Sequence, residues 1–78
     1  MSRPSRREMR ELAEDREKCA VRSDAAAVDG DRAANNPNNS PTHRAQAKAA
    51  AGFARQHAQE YREEAEALRD GRIPGEDW

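Results

Sequence analysis

The feature that most limits what this chain can become is a break. Asn35-Asn36-Pro37-Asn38-Asn39-Ser40-Pro41 separates two proline-free stretches of strong helix formers. Asparagine favours turns and left-handed backbone, and Pro37 turns Asn36 away from helix. Ser40 and Pro41 have the chemistry of an N-cap followed by a first helical residue. On the other side, Ser5-Arg6-Arg7-Glu8 reads as a capping box. Gly71, with Pro74 beyond it, marks the second stop. The predicted layout is a basic arm over 1–5, a helix over 6–34, a loop over 35–40, a helix over 41–70 and a tail over 71–78. Gly30, between Asp29 and Asp31, is an alternative stop for the first helix.

Two helices of about 40–45 Å joined by a short loop predict an antiparallel hairpin. Spacing of three and four selects Met9, Leu12, Arg16, Cys19, Ser23, Ala26 and Gly30 as one side of a coiled-coil-like seam. The other side is Ala47, Ala51, Ala54, Ala58, Tyr61, Ala65 and Leu68. In the expected register Met9 faces Leu68, Leu12 faces Ala65, and Gly30 faces Ala47. Arg6 or Arg7 is expected to approach Asp70, and Arg10 to approach Glu66.

Composition then limits what such a hairpin can do alone. Sixteen of the 78 residues are alanine, and Leu, Ile, Val and Phe together number six. So few large aliphatic side chains also permit a chain that orders only on binding. A chain this small, without a disulfide or a metal site, ordinarily needs a partner. Val21, Val28 and Phe53 do not fit the seam and are expected to project from a flank. A second hairpin docking there gives an antiparallel four-helix bundle, a homodimer. Ile73 and Trp78 in the tail either anchor a protein partner or fold back onto Met9 and Leu68.

Chemistry-bearing residues are sparse. Cys19 and His57 would be neighbours across the hairpin, but an activated thiol also needs an orienting group and an oxyanion site. His43 and His57 are too far apart along one helix to share a metal. Asp29-Gly30-Asp31 lacks the rest of a calcium loop, and Glu63 and Glu64 diverge on a helix. The chain is therefore read as non-enzymatic, with no cofactor, metal or small-molecule substrate. Arg3, Arg6, Arg7 and Arg10 are candidate phosphate contacts. They support the alternative of a small nucleic-acid-associated regulator, although the formal net charge is only −1. No apolar run is long enough for a membrane span, and the basic N-terminus is followed by no hydrophobic region, so it does not read as a secretory signal. With one lone cysteine, this gives an expected cytoplasmic location. Twelve arginines against two lysines, with the alanine content, fit a GC-rich bacterial genome. The leading expectation is an all-α protein–protein interaction module: an adaptor, regulator or structural subunit that self-associates.

Overall fold

A computed structural model describes residues 3–73. It contains two α-helices, α1 (Arg6–Ala34) and α2 (Pro41–Arg69), packed against each other in a rod of 53 × 21 × 18 Å. Both starts follow the sequence. The Glu8 amide donates to Ser5 Oγ at 3.1 Å, and the Ser5 amide donates to Glu8 Oε1 at 3.2 Å. The bond from the Ser5 amide, with that from Ser5 Oγ, holds the Glu8 carboxyl below the usual carboxylate range. At the second start the His43 amide donates to Ser40 Oγ at 3.1 Å, with Pro41 in the first turn.

Helix α1 runs through Gly30 and ends at Ala34. The bend needs no left-handed asparagine: Gly71 has the one positive φ among the described residues. Side-chain bonds do the work instead. The Asn38 amide donates to Asn36 Oδ1, making an Asx turn. Asn39 Nδ2 donates to the Ala33 carbonyl at 3.0 Å, and Arg44 Nε donates to the Ala34 carbonyl at 2.8 Å. The last carbonyls of α1 thus find partners from the start of α2 and the loop before it. At the far end α2 stops at Arg69, with Asp70 as its cap. Gly71 follows at φ 81°, its amide donating to the Leu68 carbonyl while the Arg72 amide donates to the Ala67 carbonyl. That pair of bonds is a Schellman motif, and glycine supplies the left-handed residue it requires.

The seam agrees with the expected one on α2, where Ala67 outside the stripe is buried as well, and differs on α1. Ala51, Ala58, Ala65 and Leu68 are buried, with Ala47, Ala54 and Tyr61 half-buried beside them. On α1 the buried residues are Met9, Ala13, Ala20 and Ala27. Leu12 is 40% exposed, Cys19 is half-buried and Ala26 is exposed. Met9, Arg16, Ser23 and Gly30 keep their expected side of the helix, but the intervening positions move on by one residue. Spacing of four then three satisfies the periodicity as well as three then four. The observed choice puts alanine at every seventh position of both helices, so the backbones can close. A Cβ built on Gly30 would stand 2.9 Å from the Ala51 Cβ. The largest side chains meet at the open end, where Met9, Ala13, Ala65 and Leu68 form one cluster.

The same rotation explains a correction to the expected charge pairing. Arg69 Nη1 donates to Glu17 Oε1 at 2.6 Å, Arg62 pairs with Asp24, and Arg55 pairs with Asp31. The acids recur every seventh residue on α1 and the arginines every seventh on α2, giving a three-rung ladder along one flank. On the opposite flank Arg16 Nε meets Glu64 Oε2 at 2.9 Å. The expected pairs at the open end do not form: Arg7 turns to Glu11 and Asp70 to Arg72. Among the described residues no ion pair joins Arg10 to Glu66.

Candidate interaction surface

The helices bury alanine and expose larger apolar side chains. Val21 is 63% exposed, Val28 49% and Phe53 64%. Val21 and Val28 lie seven residues apart on α1, each four residues beyond a ladder acid, Glu17 and Asp24. They therefore line the ladder flank. A shallow groove there is walled by Glu17, Val21, Arg62 and Arg69. Phe53 lies one helical turn from Ala50 and His57. Those positions share a row with Glu64, the partner of Arg16. Phe53 is thus on the flank opposite the valines. The three residues form two faces rather than one patch.

The tail divides. Ile73 is half-buried and packs against the Met9–Leu68 cluster, closing the open end of the hairpin. Trp78 lies outside the described residues.

The ladder sets the electrostatics of the valine flank. Arg62 donates to both carboxylate oxygens of Asp24, through Nη1 and Nη2. That fork holds the Asp24 carboxyl below the usual aspartate value and the Arg62 guanidinium above its own. Arg69 is raised likewise, first by its bond to Glu17. The signal for the ladder is present in the sequence as acids at 17, 24 and 31 and arginines at 55, 62 and 69. The net charge of each helix end points instead to Arg6, Arg7 and Arg10, which is why spacing alone does not single the ladder out.

The remaining chemical candidates are dispersed. Arg3, Arg6, Arg7 and Arg10 occupy the first two turns and the arm, with Glu8 among them and Glu11 directly after. Cys19 Sγ accepts from Arg22 Nη2 at 3.2 Å, within its own helix, and forms no hydrogen bond with His57. Among the described residues no three His, Cys, Asp or Glu side chains are grouped so as to hold a metal ion. No helix among them is long and apolar enough to cross a membrane. Comparison with protein-family models, with curated proteins and with solved structures finds no match to this chain.

Proposed function

We propose that this chain is a non-enzymatic helical interaction module that associates with itself and presents a second face to a protein partner. One observation carries the reading. Away from the Met9–Leu68 end, alanine fills the interior while Val21, Val28 and Phe53 stand in solvent, the reverse of the order in which apolar side chains are ordinarily buried. A thin alanine seam stabilises a hairpin weakly, and covering two valines and a phenylalanine adds what it lacks. Val21 and Val28 serve one contact. Phe53, on the other flank, serves another, with Ile73 and Trp78 of the tail as further partner contacts. Two faces on one rod suit an adaptor or a structural subunit. The reading places it in a reducing, cytoplasmic setting, where the lone thiol of Cys19 stays reduced.

Sedimentation equilibrium over a range of concentrations tests it. The expected result is a monomer–dimer equilibrium that the combined Val21→Ser and Val28→Ser substitutions shift to monomer, with helicity by circular dichroism largely kept. A folded monomer at every concentration overturns the self-association.

A further inference from the structure

We infer that two copies pair through α1, antiparallel, in one register fixed by charge; this rests on the self-association proposed above. On the exposed side of α1 a second heptad stripe runs Glu14, Lys18, Val21, Ala25, Val28, Arg32, all of them exposed. Its spacing alternates four and three, like that of the hairpin seam. The stripe opens on the acid Glu14, carries Lys18 one turn later, is apolar at Val21, Ala25 and Val28, and closes on the base Arg32. It is therefore complementary to itself when reversed.

Laying a second copy antiparallel with Val21 against Ala25 brings Lys18 against Val28 and Glu14 against Arg32. The contact spans about 27 Å at 1.5 Å per residue. The lysine stem covers the valine while its ammonium reaches water. Flanking residues then follow the geometry the hairpin itself displays in its ladder. They set Arg22 of each copy opposite Asp29 of the other. On the other flank Glu17 approaches Asp24, two acids already engaged by Arg69 and Arg62.

Neighbouring registers fail on charge. Sliding by seven residues one way sets Asp29 opposite its own copy, and sliding the other way sets Arg22 opposite its own copy. Among the described residues the Arg22 side chain hydrogen-bonds only Cys19, and Arg32 stands 4.0 Å from Asp29 in an exposed pair. Both arginines are available for exchange. The occupant that fits this stripe is thus a second copy of the same chain.

The test is a charge swap read by sedimentation equilibrium of the full chain. Arg22→Glu and Asp29→Arg, each alone, place two like-charge pairs in the dimer and are expected to weaken it about tenfold. Mixing the two variants in equal amounts restores opposite charges at both sites. A heterodimer of near wild-type affinity is expected, and its recovery shows that each variant was folded. If the wild type dimerises and the variants dimerise equally well, or the mixture recovers nothing, the α1 pairing is wrong and another face carries the association. If the wild type stays monomeric throughout, the self-association reading itself falls, and the pairing with it.

Discussion

A β-carbon at Gly30 would meet the Ala51 Cβ at 2.9 Å, the Ala47 carbonyl oxygen at 3.0 Å and the Ala51 Cα at 3.3 Å. Two of those neighbours are backbone, and a carbonyl inside a helix yields only if the helix moves. Gly30 is therefore a packing glycine, placed where the rods approach closely. Gly30→Ala gains about 1 kcal/mol of helix propensity. It then loses about 1–3 kcal/mol to overpacking, so denaturant unfolding should show a net loss of stability. Gly52 is the internal control. Nothing lies within 4 Å of its missing β-carbon, and Gly52→Ala should stabilise by about 0.5–1 kcal/mol. Opposite signs at two glycines in the same fold separate close approach from propensity. If both substitutions stabilise, the helices are farther apart than described. Gly71, at φ 81°, is a third case: alanine there has ample room but the wrong backbone. It should cost about 1 kcal/mol through the left-handed conformation alone.

At the level of the helices, the ladder decides which way α1 is turned. Turning α1 so that Leu12, Cys19 and Ala26 face inward carries Glu17, Asp24 and Asp31 away from Arg69, Arg62 and Arg55. Exposed pairs are individually weak, but three in one row all favour the same rotation. Their pH dependence has a definite sign. The folded-state value of Asp24 is depressed, first by its hydrogen bonds from Arg62. Its contribution is therefore complete above the ordinary aspartate value and is lost as pH falls through the lower folded value. Thermal melts in an acid series should show the wild type losing stability across that window. Asp24→Asn should flatten part of the slope, and an unchanged slope would remove Asp24 as its source. The hairpin, its ends and the α2 half of the seam were legible because caps, proline and glycine act locally. The rotation of α1 was not, because Leu12 and Ala13 both satisfy the periodicity and spacing alone does not choose between them. Two features that lie in different helices settled it: alanines facing alanines, and acids facing arginines.

For the molecule as a whole, the consequence of an alanine seam is that stability is concentrated at one end. Met9, Leu68 and the returning Ile73 gather around Ala13 and Ala65, while the middle of the rod offers methyl groups against methyl groups. Truncating Leu68 to alanine removes the largest buried aliphatic side chain of that cluster, at about 2–5 kcal/mol. That is comparable with all the stability a domain of this size ordinarily has. The isolated Leu68→Ala hairpin should therefore be largely unfolded in dilute solution. A second copy changes the balance, since a partner that binds only the folded rod stabilises it in proportion to the logarithm of its concentration. Ellipticity at 222 nm should accordingly rise with protein concentration in Leu68→Ala, while the wild type shows the same dependence only in its melting midpoint. Adding Val21→Ser to Leu68→Ala should abolish the recovery, because Val21 is exposed and outside the Met9–Leu68 cluster and so acts through the second copy. A Leu68→Ala chain that is fully helical in dilute solution would mean that the alanine seam alone suffices to hold the rod.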